Sequence, residues 1–159
     1  METQGFENVK DQAGYCGIWC GSCVVGNGTL KKLTKRYEDL VRAYGLDHWG
    51  PEGLDFDRFT EGLRLIKGIS LCPGCRKGGG RDNCELRACA LRKGKDSCNL
   101  CPAAEDCKHQ EDLHRMRSGA QQAGLFVNTE EGDGKHMIEQ WTAELRARWP
   151  SCILFTCDH

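Results

Sequence analysis

Ten of the twelve cysteines in this chain fall into two tight clusters, and no other feature of its 159 residues restricts the fold as much. Cys16, Cys20 and Cys23 lie in the run Tyr15-Cys-Gly-Ile-Trp-Cys-Gly-Ser-Cys23, and Cys72, Cys75, Cys84, Cys89, Cys98, Cys101 and Cys107 share 36 residues. Thiols pack modestly and oxidise readily, so at this density they are expected to be disulfides, metal thiolates or redox groups. The segment Met1–Lys10 is polar and lacks the roughly 7–15-residue apolar stretch of a secretory signal. A chain that is not exported meets a reducing cytosol, where structural disulfides rarely persist. The expectation is therefore a cytoplasmic protein whose cysteines bind metal.

No apolar run approaches the roughly 20 residues that cross a bilayer, so no membrane partner is expected. The length suits a single domain over 1–159, with a Cys-rich metal-binding region at 14–109 and a C-terminal helical pair and tail at 110–159. The formal net charge of −1 ignores the thiolates, and an ion held by four of them is itself anionic. The stretch Cys72 to Lys108 holds eight basic residues against five acidic ones, a surplus suited to neutralising thiolate charge and donating hydrogen bonds to sulfur. It contains no aromatic residue, which argues against a nucleic-acid footprint built on base stacking.

Four helical patterns surround the cysteines. Leu30, Leu33, Tyr37, Leu40, Val41 and Tyr44 follow the spacing of one helix face, with Asn27 or Thr29 as cap and Gly45 as stop. Phe56, Phe59, Leu63 and Ile66 repeat the pattern between an Asp55 cap and Gly68, and residues 45–53 between the two read as turn. Leu113, Met116, Ala120 and Ala123 form a third stripe ended by Gly124. Ile138, Trp141, Leu145 and Trp149 form a fourth, ended by Pro150, with both tryptophans assigned to the core. Cys152–Cys157 reads as a short buried strand or a docked tail. The predicted class is mainly α: a small helical domain with irregular, Cys-rich, metal-stabilised loops.

Three Cys-x-x-Cys pairs are present, Cys20/Cys23, Cys72/Cys75 and Cys98/Cys101. Two intervening residues let both sulfurs reach one ion from a tight turn whose amides can point at them, and Pro73-Gly74 suits such a turn. Cys72 and Cys75 can close with Cys84 and Cys89 through short loops. Cys98, Cys101 and Cys107 then need a fourth ligand from Cys16, His109 or the Cys20/Cys23 pair. Of the five histidines only His109 and His159 sit beside a cysteine motif; His48, His114 and His136 read as helix-surface or turn residues. Paired knuckles favour Zn2+, and a 4Fe-4S cluster is the alternative for an all-cysteine site.

Other readings of the same residues lack their structural setting. The Cys16-x3-Cys20-x2-Cys23 spacing matches the cluster motif of radical S-adenosylmethionine enzymes, which need an α/β barrel that this chain has no βα repeats to build. Trp19-Cys-Gly-Ser-Cys23 looks like the thioredoxin redox motif, but no strand precedes it. Gly26-Asn-Gly-Thr29 and Gly78-Gly-Gly-Arg81 read as a helix cap and a flexible loop rather than phosphate cradles.

Tyr15-Cys-Gly-Ile-Trp-Cys-Gly-Ser-Cys23, Cys72-Pro-Gly-Cys75, Asn83-Cys-Glu-Leu-Arg-Ala-Cys-Ala90 and Ser97-Cys-Asn-Leu-Cys101 with Cys107 together resemble a family of small bacterial and archaeal Cys-rich proteins of unknown function. The resemblance spans about residues 14 to 109 and implies a largely helical, zinc-binding domain with no established reaction. Val24 stands where members often carry Pro. The combined expectation is a metal-binding, structural-zinc protein that organises a surface for a protein partner and catalyses nothing itself. The alternative is an iron–sulfur protein for electron transfer or an accessory subunit of a redox enzyme.

Overall fold

The computed structural model describes residues 5–103, 105–130 and 134–148. These residues are mainly helical, with seven α-helices: α1 (Gly5–Val9), α2 (Thr29–Ala43), α3 (Leu46–Trp49), α4 (Phe56–Lys67), α5 (Glu85–Arg92), α6 (Gln110–Gln122) and α7 (Gly134–Arg148). Single 3₁₀ turns at Cys20–Ser22, Cys75–Lys77 and Cys98–Leu100 carry the cysteine motifs. None of the described helices is long and apolar enough to cross a membrane.

The core forms around Trp19, which has no exposed surface. Its ring meets Phe6 edge-on at 6.2 Å and packs against Phe126 at 6.0 Å and Trp141 at 5.9 Å. Leu145 and Ile138 complete the cluster, so α1, the Phe126 segment and α7 all close on one indole. Its Nε1–H donates to the Lys10 carbonyl at 2.6 Å, which satisfies the one polar atom of the ring. Short antiparallel contacts fix the backbone on either side. Gly14 N–H donates to Ile18 O, Cys20 N–H to Gln12 O, Trp19 N–H to Phe126 O and Asn128 N–H to Gly17 O, at 2.8–2.9 Å. Gly17 takes a left-handed φ of 96°, and the Asn128 carbonyl occupies the place of a Cβ, so only glycine fits there.

α2 and α4 pack together as a two-helix arm. Tyr37 meets Phe59 edge-on at 6.1 Å, and the buried Glu38 pairs with Arg42 at 3.2 Å and with Lys67 of α4. The Lys67 ammonium, aided by Arg42, holds the Glu38 carboxyl below the usual carboxylate range. The α4 boundaries match expectation: Asp55 accepts from Arg58 N–H at 3.1 Å, and Gly68 caps the end. At α2 the cap residue is Gly28, while the Asn27 carboxamide accepts from Thr29 N–H at 2.9 Å and donates to the Gly21 carbonyl at 3.0 Å. Asn27 therefore ties the start of the arm to the Cys20–Ser22 turn. Periodicity located α2 and part of its buried side: Val41 is buried and Leu30 and Leu33 are half-buried, whereas Tyr37, Leu40 and Tyr44 remain 51%, 49% and 71% exposed and the polar Thr34 and Glu38 face inward.

Helices α1, α3 and α5 were not expected; α3 lies within the predicted 45–53 turn. α6 and α7 fall where predicted, and Leu145 and Trp141 join the core cluster. Trp149, Pro150 and Cys152–Cys157 lie outside the described residues.

Steric fit at Trp19 yields a paired prediction. A Cβ on Gly21 would stand 2.5 Å from Cε2 and Cζ2 of Trp19, whereas one on Gly62, inside α4, meets nothing within 4 Å. Gly21→Ala should destabilise the protein by roughly 1–3 kcal/mol, and Gly62→Ala should stabilise it by about 0.5–1 kcal/mol. Urea unfolding followed by circular dichroism reads both, and a neutral Gly21→Ala would count against the Trp19 packing.

Candidate metal centre

Two of the three Cys-x-x-Cys pairs share one geometry. In each, a 3₁₀ turn begins at the first cysteine, and the second cysteine's N–H donates back to the first one's carbonyl, at 3.1 Å for Cys23 and 3.3 Å for Cys101. Cys23 and Cys101 have nearly equal dihedrals, φ −80°, ψ 120° and φ −83°, ψ 119°. In the third pair the turn follows the second cysteine instead. Gly74 adopts φ 94° with the Gln12 carboxamide against its Cα, and the Cys75–Lys77 turn comes next. Gly80 N–H then donates to Cys72 Sγ at 3.2 Å, the amide-to-sulfur contact expected of a thiolate-holding turn.

The fold brings the N-terminal motif onto Cys72 and Cys75. Cys72 N–H donates to Val25 O at 3.4 Å, and Gln12 Nε2–H donates to Pro73 O at 3.0 Å. Burial pushes the Cys20 thiol up to about 11; the Cys75 backbone N–H opposes this, and the nearby Cys75, Cys72 and Cys23 thiols add to it. Cys20, Cys23, Cys72 and Cys75 therefore form one neighbourhood.

A second neighbourhood surrounds a cavity of about 40 Å³ lined by Cys89, Cys98, Cys101, Cys107 and His109. Burial pushes Cys98 up to about 11, with Cys16, Cys107 and Cys89 adding to the rise and the Arg117 guanidinium opposing it. Lys93 Nζ stands 3.9 Å from Cys101 Sγ. His109 Nε2 is buried and finds no hydrogen-bond partner among the described residues. Cys16 lies between the two neighbourhoods: burial raises its thiol, the Ile18 amide opposes that, and Cys75 and Cys84 add to it.

Cys84 stands near Cys16, as does Cys75, and Cys89 lines the second cavity. The two core contacts of α5, Leu86 and Ala90, turn Cys89 toward Cys98. Two of the basic residues between Cys72 and Lys108 bond backbone carbonyls. Arg76 donates to Ala13 O at 3.0 Å and stacks on Tyr15 at 4.3 Å, and Arg87 donates to Gly79 O at 2.7 Å and Arg81 O at 3.0 Å. Guanidiniums are needed there because these loops have few backbone partners of their own. Gln12 and Arg117 escaped the sequence reading; Arg117 Nε–H donates to Cys16 O at 2.8 Å and carries positive charge toward Cys98. Nothing local marked either residue. His48, His114 and His136 are exposed helix residues, as expected, and His159 lies outside the described residues.

As the side chains stand, no three His, Cys, Asp or Glu among the described residues form a group that could hold a metal ion. The donors nevertheless suit a thiophilic ion chemically: the ten clustered cysteines are free thiols, and soft sulfur with one imidazole is a zinc-type ligand set. Closing on an ion would require χ1 rotations, which reach neighbouring staggered wells. It would also displace protons, so uptake should weaken as pH falls. A zinc ion in either neighbourhood would lock the loops together.

The raised thiols carry a test in metal-free protein. At about pH 8 a thiol moved from 9.0 to about 11 has roughly 100-fold less thiolate, partly offset by higher intrinsic nucleophilicity. Cys20 and Cys98 should alkylate roughly tenfold more slowly than in the denatured chain, the gap narrowing as pH rises toward 11. Residue-resolved mass spectrometry reads the rates. Fast alkylation at Cys20 would instead fit an activated, thioredoxin-like thiol.

A family model described as a protein of unknown function (DUF3795) matches residues 12–112, which include both cysteine clusters and end in α6. No curated protein and no solved structure matches the chain. Because that match covers more than half of the 159 residues, the chain belongs to the DUF3795 family, whose function is unknown.

Proposed function

We propose that this chain is a cytoplasmic, non-catalytic metal-binding protein whose cysteines hold structural zinc and organise a surface for a partner protein. The observation that carries the reading is the gathering of distant thiols: Cys20 among Cys23, Cys72 and Cys75, and four further cysteines around one small cavity. The loops bearing them contribute little apolar burial, since Cys16, Trp19, Leu86 and Ala90 are the buried hydrophobic residues between Gly14 and His109 apart from Val41 of the arm. Loops of this kind need another source of stability, and metal binding supplies folding free energy directly. Cys20, raised to about 11 and not preceded by a strand among the described residues, is poorly suited to thiol exchange. The partner surface is supported by the arm, where Tyr37, Tyr44, Trp49 and Leu65 are 51%, 71%, 64% and 60% exposed.

Metal and sulfide analysis of anaerobically purified protein tests the reading. Zinc without acid-labile sulfide is the expected result, and iron with matching sulfide would replace it with an iron–sulfur protein. The double substitution Cys72→Ser, Cys75→Ser should remove at least one equivalent of zinc and lower the thermal midpoint. A variant that kept both its zinc and its stability would show that this pair holds no structural ion.

A further inference from the structure

The second neighbourhood offers five donors, one more than a tetrahedral ion accepts. Cys98, Cys101 and Cys107 come from one short segment, and the question is whether Cys89 or His109 completes the set. We infer that His109 is the fourth ligand, through Nε2, of a three-thiolate, one-imidazole zinc site that forms at the cavity of about 40 Å³ when its side chains, which as they stand form no such group, close on the ion. This rests on the metal-binding reading above and deepens it by naming the ligands of one centre.

The two candidates differ in what they leave behind when not bound. A thiol is a weak hydrogen-bonding group that sits in an apolar wall at little cost, and Cys89 lies beside Leu86 and Ala90 on that wall. An imidazole nitrogen is a strong acceptor, and burying it without a partner is costly. His109 Nε2 is such an atom: it is buried with no hydrogen-bond partner among the described residues, and its residue lines the cysteine cavity. An ion in the cavity would answer that vacancy.

The backbone also fixes where His109 can go. Gln110 N–H donates to Cys107 O at 3.0 Å, closing a tight turn that holds Cys107 and His109 together at the mouth of α6. Leu113 N–H donates to His109 O at 2.9 Å, which anchors the residue as the first carbonyl of that helix. Cys98 and Cys101 reach the same cavity on their own 3₁₀ turn. Charge agrees as well. Three thiolates and one neutral imidazole around a divalent ion leave a smaller negative surplus than four thiolates would. The Lys93 ammonium stands 3.9 Å from Cys101 Sγ to offset it.

The test uses the full chain under anaerobic, reducing conditions with Co2+ as the probe. Wild type should take up the ion with absorption bands of tetrahedral cobalt. His109→Gln should lose one tightly held equivalent in competition with a chelator, while Cys89→Ser keeps it. His109→Cys should recover that equivalent and show a stronger thiolate-to-cobalt charge-transfer band, one sulfur more than wild type. A measurement that needs no folded variant is the ¹⁵N shift of the His109 ring in wild type. On addition of Zn2+, Nε2 should move to the metal-bound range while the ring nitrogens of His48 and His114 stay put. An unchanged His109 ring in protein that does bind zinc overturns the assignment alone, as does loss of the equivalent in Cys89→Ser. Wild type that takes up neither Co2+ nor Zn2+ overturns the metal reading itself.

Discussion

Everything described in this chain is hung on the burial of Trp19 inside a cysteine motif. The indole lies between Cys16 and Cys20, so the residue that nucleates the apolar core and the thiols that surround it cannot move independently. Burying a ring of this size is worth roughly 4–6 kcal/mol of apolar transfer, before conformational entropy is counted. Three separate segments contribute apolar residues to it: Phe6 from α1, Phe126 from an extended stretch, and Trp141 and Leu145 from α7. Ser22 adds a polar latch. Its hydroxyl donates to Trp19 O at 2.7 Å and accepts from Phe126 N–H at 3.1 Å.

From that anchor the two cysteine neighbourhoods follow as consequences of chain direction. On one side the Cys20–Ser22 turn leads through Asn27 into α2, and the return from α4 delivers Cys72 beside Val25. On the other side Cys98 N–H donates to Tyr15 O at 2.8 Å, which brings the last cysteines to the opposite flank of the same motif. Cys16 sits where the flanks meet. Within the N-terminal triad Cys20 lies with Cys72 and Cys75, while Cys16 stands near Cys75, Cys84 and Cys98.

The arm of α2, α3 and α4 stands apart in character. It contributes Val41 and Glu38 to buried surface but keeps Tyr44, Trp49 and Leu65 largely in solvent. Its internal links are local: i,i+3 and i,i+4 ion pairs such as Lys35–Asp39 and Arg64–Glu61, each worth only tenths of a kcal/mol. The ion pair from Glu38 to Lys67 differs in that it joins α2 to α4 and its carboxylate is buried. Along the arm Tyr37, Leu40, Tyr44, Trp49, Leu65 and Ile66 keep apolar surface exposed.

The sequence by itself determined helices α2, α4, α6 and α7, since apolar periodicity and the Asp55 and Gly68 caps act within a few residues. It also determined that thiols dominate the chemistry, and which cysteines pair across a turn. Short helices went unseen because four to eight residues hold too few apolar positions to show a period, as in α3 and α5. Trp19 read as part of a redox motif because nothing beside it reveals Phe6, Phe126 or Trp141. Only the tertiary structure decided that Cys20 meets Cys72 and Cys75, that Cys89 turns toward Cys98, and that His109 Nε2 ends buried among thiols. Those outcomes depend on closing loops such as Ser22 to Phe126, 104 residues apart, and no local propensity encodes a contact of that span.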